Sequence, residues 1–125
     1  MEKINQKKVA LVVDDDSVTL TIVGSLLKEN NYDVVEGSDG IDAISKFILE
    51  KPSLIVIDLD MPYMDGCRAS RIIRNMRYGN VCHIILFTSE TNCEVLENPI
   101  CKSVNIIINK VDIDKLREYI VSYGN

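Results

Sequence analysis

The chain has 125 residues, 46% of them hydrophobic and 26% charged, with a formal net charge of -5 at pH 7. A chain of this length fits one compact domain and buries roughly two-thirds of the surface that its unfolded form exposes, so it needs no disulfide staple. The acidic balance excludes a general attraction to nucleic acid, which needs Lys and Arg against phosphates, and the run Arg68, Arg71, Arg74 and Arg77 reads as a solvated helix face. In chain order, Val9 to Val13 is an apolar run of strand length stopped by Asp14-Asp15-Asp16. A helical period follows in Val18, Ile22, Val23, Leu26 and Leu27. Asp33 to Glu36 reads as a second strand, and Asp39 caps a helix carrying Ile41, Ile44, Phe47 and Ile48, closed by Pro52. Leu54 to Ile57 is a third strand that ends at Asp58. Asp65 caps a helix with Ala69, Ile72, Ile73 and Met76, and Gly79-Asn80 turns the chain. Val81 to Phe87 is a fourth strand ending at Thr88. A weak helical segment runs from Asn92 to Ser103, and Pro99 inside it predicts a short, kinked or partly unwound helix. Val104 to Ile108 is a fifth strand ending near Lys110, and Asp112 caps a last helix with Ile113, Leu116, Tyr119, Ile120 and Tyr123.

Strands alternating with helices predict a (βα)5 chain with parallel pairing and right-handed crossovers. Apolar runs without strict alternation fit strands covered on both faces. No linker, repeat or low-complexity segment divides the chain, so residues 1–125 read as a single domain. The N-terminal MEKINQKKVALVV is basic, then apolar for only a few residues, too short for a signal peptide or a membrane span. Cys67, Cys82, Cys93 and Cys101 form no C-x-x-C pair and His83 is the only histidine, which argues against a zinc site. The expectation is a cytoplasmic protein with reduced thiols and no membrane association.

In an open parallel α/β sheet, ligands bind at the carboxyl ends of the strands. Those ends carry Asp14 and Asp15, Asp58, Thr88 and Lys110. Two carboxylates about 4 Å apart repel by roughly 4 kcal/mol at an effective dielectric near 20, so three together call for a cation among them. Magnesium suits hard oxygen ligands. A carboxylate beside a divalent ion, a lysine and a hydroxyl is placed to accept a phosphoryl group, with the cations neutralising its equatorial oxygens. Taken singly, each residue has a plain structural reading: a helix cap, a turn aspartate, a loop hydroxyl, a surface lysine. Their joint placement on successive strand ends is what points to chemistry.

The motifs VALVVDDD, LIVIDLDMPYMDG, IILFTSE and IINK resemble those of the receiver domain of two-component response regulators, over about Lys8 to Tyr123. The resemblance implies a flavodoxin-like, doubly wound parallel sheet in strand order 2-1-3-4-5. It implies that Asp58 is phosphorylated by a histidine kinase or histidine phosphotransfer protein in a magnesium-dependent manner, and that the domain then switches its contact with a downstream protein effector. It makes Asp15 a direct magnesium ligand, Asp14 a helper through water, and the backbone carbonyl of Asp60 a further ligand beside Asp58. Thr88 becomes the switch hydroxyl and Lys110 a partner of the phosphoryl group. Met61-Pro62 and Asp65-Gly66 shape the loop beneath the site, and Asp60 and Glu90 sit at positions that tune the lifetime of the phosphorylated form. Such a domain catalyses only its own phosphorylation and dephosphorylation.

Four positions depart from the family pattern. Val111 follows Lys110 where the family has proline in a cis bond, so a trans bond and a different loop are expected here. Ile107 and Ile108 fill the stretch where an aromatic switch residue is usual, Pro99 disturbs the fourth helix, and Ser89 replaces a small alanine. The acceptor side is complete and the relay side altered, which predicts a domain phosphorylated on Asp58 that signals through an atypical surface. Two other classes stay open. A pseudo-receiver would bind proteins without cycling phosphate. A haloacid-dehalogenase-type phosphatase would use Asp58-Leu59-Asp60 as its D-x-D pair and turn over p-nitrophenyl phosphate steadily, although Met61-Pro62 stands where that family has Gly-Thr.

Overall fold

The computed structural model describes residues 8–124; the basic N-terminal run Met1–Lys7 lies outside them. Five strands alternate with helices: β1 (Lys8–Val13), α1 (Ser17–Glu29), β2 (Tyr32–Gly37), α2 (Gly40–Glu50), β3 (Leu54–Ile57), α3 (Gly66–Arg74), β4 (His83–Thr88), α4 (Cys93–Leu96), a 3-10 helix (Pro99–Ser103), β5 (Ile106–Asn109) and α5 (Ile113–Gly124). All four strand pairings are parallel, and the order across the sheet is β2-β1-β3-β4-β5. The predicted flavodoxin-like doubly wound sheet is therefore the observed one.

The Val, Ile and Leu runs of the central strands are buried on both faces because successive side chains point to opposite sides. Leu11, Val13, Ile55, Ile57, Ile84 and Leu86 build one core with Phe47 of α2 and Ile73 of α3. Their neighbours Ala10, Val12, Leu54, Val56, Ile85 and Phe87 build the other, with Val23 and Leu27 of α1 and Leu116 and Ile120 of α5. Two layers of helices thus clamp one sheet and leave its strand ends facing loops.

The predicted caps Asp39 and Asp65 accept from the backbone N–H groups of Asp42 and Arg68, and Asp16 caps α1 by accepting from Val18, whereas Asp112 meets α5 through its backbone carbonyl, which accepts from the Leu116 N–H at 3.2 Å. The fourth helix is as short as Pro99 implies: one turn of α4, capped by Asn92, then the 3-10 helix, capped by Asn98 with Pro99 in its first turn, where the missing N–H costs nothing. The fourth strand begins at His83 rather than Val81, because Val81 donates back to the Tyr78 carbonyl at 3.4 Å and ends a turn. The fifth begins at Ile106 rather than Val104, whose N–H still serves the Cys101 carbonyl of the 3-10 helix. The described residues contain no cis peptide bond, so Lys110–Val111 is trans as expected.

Two expectations are corrected. Arg74 is no solvated surface charge. Its guanidinium donates to the carbonyls of Ser103, Gly79 and Cys82 and to Asn105 Oδ1, and so ties α3 to the loops on either side of β4. The expectation of reduced thiols fails at Cys67 and Cys101, which form a disulfide between α3 and the 3-10 helix with Cα atoms 4.8 Å apart. The 3-10 helix packs on the buried face of α3, and a sequence separation of 34 residues hides that meeting from any local pattern. Cys82 and Cys93 remain free thiols, the first buried and the second exposed. No helix among the described residues is long and apolar enough to cross a membrane.

Candidate functional site at the carboxyl ends of the strands

Register places the site. Val13, the last residue of β1, pairs with Ile57, the last of β3, so Asp14 and Asp58 leave adjacent strands side by side. The N–H of Asp58 donates to the Val13 carbonyl at 3.0 Å and extends that ladder by one rung. Thr88 closes β4 opposite Asn109 of β5, and the Lys110 N–H donates to the Thr88 carbonyl at 2.9 Å. Four strand ends thereby converge on one point.

Lys110 Nζ lies 2.8 Å from Asp14 Oδ2 and 3.2 Å from Asp58 Oδ2. Asp14 and Asp58 are almost fully buried, at 2% and 7% exposure, while Asp15 faces solvent. One carboxylate oxygen from each of Asp14, Asp15 and Asp58 lies within 4.8 Å of the others. The second oxygen of Asp14 accepts from the Asp16 N–H at 2.9 Å, and that of Asp58 from the Leu59 N–H at 2.8 Å. Burial raises the pKa of Asp14 and outweighs the Lys110 bond that would lower it. For Lys110 the balance is reversed: burial alone would lower its pKa, but the bond to Asp14 and the charges of Asp58 and Asp14 carry it above the usual lysine value. One ammonium against three carboxylates leaves a net negative, oxygen-rich recess, and a small divalent cation fits that donor set.

Thr88 is buried, and its hydroxyl oxygen accepts from the Glu90 N–H at 3.2 Å. Glu90 turns its carboxylate back to the N–H groups of Thr91 and Asn92, at 3.1 and 3.2 Å, and stays half-buried. Asp60 is exposed two residues beyond Asp58. Its pKa is raised first by burial, then by the charges of Asp58, Glu90 and Asp65. Asp16, the third of the aspartate run, only caps α1, also accepting from the Thr19 hydroxyl at 2.9 Å. Beneath the site the Gly66 N–H donates to the Leu59 carbonyl at 2.9 Å. A β-carbon on Gly66 would overlap the Asp58 carbonyl oxygen. The role of the Leu59 N–H in orienting Asp58 has no signature in sequence, since it belongs to the backbone.

The sequence profile of the response regulator receiver domain matches residues 10–121. The chain belongs to this receiver family. It is 39% identical over 70 residues to the alkaline phosphatase synthesis transcriptional regulatory protein PhoP of Bacillus subtilis, a match covering 56% of this chain and 29% of that protein. It thus spans less than a third of that relative's length. Among solved structures, the chemotaxis response regulator CheY4 of Vibrio cholerae superposes with a TM-score of 0.77 at 22% identity, covering 92% of this chain and 99% of that one. The receiver domain of the sensor histidine kinase PA1611 of Pseudomonas aeruginosa, solved with magnesium in its active site cleft, gives a TM-score of 0.77 at 23% identity, covering 94% and 99%. At these identities the structural likeness speaks for the fold alone. The receiver domain is a signalling domain of response regulators.

Proposed function

We propose that Asp58 accepts a phosphoryl group from a histidine kinase or histidine phosphotransfer protein, with magnesium required, and that the phosphorylated domain changes its contacts with a downstream protein effector. The observation that carries this reading is the shared ammonium of Lys110, bonded at once to Asp14 and to Asp58 in a buried recess. In the transfer a carboxylate oxygen of Asp58 forms the new P–O bond while the P–N bond to the donor histidine breaks, and the imidazole retains that electron pair. Little covalent work falls to the protein, so positioning and charge neutralisation supply the rate.

Asp14, Asp15 and Asp58, with the backbone carbonyl of Asp60, are the residues that would hold magnesium; when bound, the ion neutralises charge on the phosphoryl oxygens. Lys110 takes another of those oxygens. Thr88 can turn its hydroxyl from the Glu90 N–H toward the acceptor. The Leu59 N–H fixes one oxygen of Asp58, so the other is the one presented. Asp60 and Glu90 border the acceptor and are assigned to the lifetime of the phosphorylated form; equal lifetimes in Asp60→Asn and the native protein would end the assignment for Asp60.

Residues 1–125 act as one receiver domain in the cytoplasm, with no contact to nucleic acid or membrane. The test is intact mass after incubation with magnesium and acetyl phosphate. The expected outcome is one phosphoryl adduct per chain, lost in Asp58→Asn and absent when the metal is chelated. An unlabelled native protein would return the domain to the pseudo-receiver class, and steady turnover of p-nitrophenyl phosphate would place it with the phosphatases.

A further inference from the structure

Cys67 is the second residue of α3, directly after Gly66, which rests against the backbone of Asp58. Cys101 lies in the 3-10 helix that follows the single turn of α4. The bond between them ties the loop under the acceptor to the least regular part of the chain. Cys67 is fully buried, whereas Cys101 keeps 4% exposure and lines an open cleft of about 450 Å³ together with Leu96, Glu97, Lys102, Val104 and Ile107. Lys102 is exposed at the rim of that cleft. Cys101 Sγ lies 3.8 Å from the Val95 carbonyl oxygen, an acceptor already in place for a thiol hydrogen.

We propose that Cys67–Cys101 is a reversible thiol–disulfide exchange site that takes a dithiol reductant through the cleft, and that its opening loosens the 3-10 helix around Cys101, leaving the Arg74 bonds to Ser103 to tie its far end to α3. The attacking thiolate, drawn by the Lys102 charge, bonds to Cys101 Sγ. The S–S bond breaks, Cys67 leaves as a thiolate and takes up a proton. The second thiol of the reductant then closes on the mixed disulfide, freeing Cys101 as a thiol. Two electrons and two protons pass to the protein, and the reductant departs as a disulfide. Exposure favours Cys101 as the sulfur attacked. Around Cys101 the segment is held by Ile100 N–H to Asn98 Oδ1 at 3.0 Å, Cys101 N–H to the Asn98 carbonyl at 2.8 Å and Val104 N–H to the Cys101 carbonyl at 3.4 Å, while Arg74 of α3 holds the Ser103 carbonyl at 3.1 and 2.8 Å. Cys82 does not compete as an internal thiol, because burial pushes its pKa up to about 11. In a reducing compartment, bonds of this kind are transient and responsive rather than structural.

The experiment needs no phosphate, so its result stands apart from the reading of Asp58. The full chain, purified without reductant, is denatured and alkylated. Two of the four cysteines should label, and all four after dithiothreitol; four labels without reductant overturn the site. Dithiothreitol added to the folded protein should open the bond without denaturant, and Lys102→Glu should slow that step several-fold. A bond that opens only in denaturant is an inert staple and sinks the proposal. Hydrogen exchange at the Cys101 and Val104 amides should rise roughly tenfold on reduction while β1 and β3 stay unchanged; equal exchange in both states overturns the loosening. Cys67→Ser with Cys101→Ser should copy the reduced state, and reduced native protein carries the comparison if that variant fails to fold.

Discussion

Lys110 decides the character of the site at the scale of single residues. Its ammonium is the one cation within reach of both Asp14 and Asp58 among the described residues, and it competes with a metal for the same carboxylates. Lys110→Met should therefore bind magnesium as tightly as the native domain or more tightly, read by titration calorimetry, while labelling by acetyl phosphate slows by about tenfold or more. Weaker magnesium binding in the variant would mean that the lysine orders the carboxylates rather than competing for them. Gly66 makes the complementary case for shape. A methyl group there meets the Asp58 carbonyl oxygen, and backbone can yield only by shifting. Gly66→Ala should cost about 2 kcal/mol in urea unfolding and slow the labelling of Asp58. Stability equal to that of the native protein would show that the loop moves aside freely. The Asp, Thr and Lys positions were legible in the sequence because each ends an apolar run. The contact of Lys110 with Asp14 was not, because it depends on how two non-neighbouring strands line up their ends.

At the scale of elements, Arg74 joins what the chain order keeps apart. Its guanidinium satisfies carbonyls on the turn after α3, at the start of β4 and at the end of the 3-10 helix, plus the Asn105 side chain. Asn105 Oδ1 also accepts from the Ile84 N–H at 2.8 Å, so the same clamp reaches the sheet. Arg74→Met keeps the aliphatic stem and removes every donor, leaving those acceptors to find water. The expected loss is about 3 kcal/mol of stability, with hydrogen exchange quickening first in residues 99–105. A loss within a few tenths of a kcal/mol, measured by chemical denaturation, would show that water replaces the guanidinium at no cost. Arginine spacing alone gave Arg68, Arg71, Arg74 and Arg77 one appearance, a basic helix face. Arg74 differs because it stands at the end of α3, where the chain turns and carbonyls lose their helical partners. The fourth helix was legible in outline from Pro99, whereas its disulfide was not, since nothing in the spacing of Cys67 and Cys101 marks them as neighbours.

At the scale of the whole molecule, the two ends of the sheet respond to acid differently, and the end remote from Asp58 offers the cleaner test. His83 opens β4 there. Its Nε2 is 2.6 Å from the Tyr119 hydroxyl, and its ring stacks on Tyr123 with centroids 4.1 Å apart. Burial, then the charge of Arg74, lowers its pKa below the usual histidine value. Arg74 of α3, Tyr119 and Tyr123 of α5 and the buried Cys82 beside it include no carboxylate to favour the imidazolium. The fold thus prefers neutral His83, while the unfolded chain protonates it near pH 6.5. The stabilising preference is complete above that pH and is lost as pH falls through the lower folded-state value, because the unfolded state then binds the extra proton. The urea midpoint of the native protein should therefore fall more between pH 7.5 and 5.5 than that of His83→Gln, which keeps a polar partner for Tyr119 but carries no proton in this range. Both proteins share every carboxylate of the chain, so what those groups contribute cancels in the comparison. Parallel midpoint curves would show that His83 is as readily protonated folded as unfolded, and that α5 does not shield it from acid.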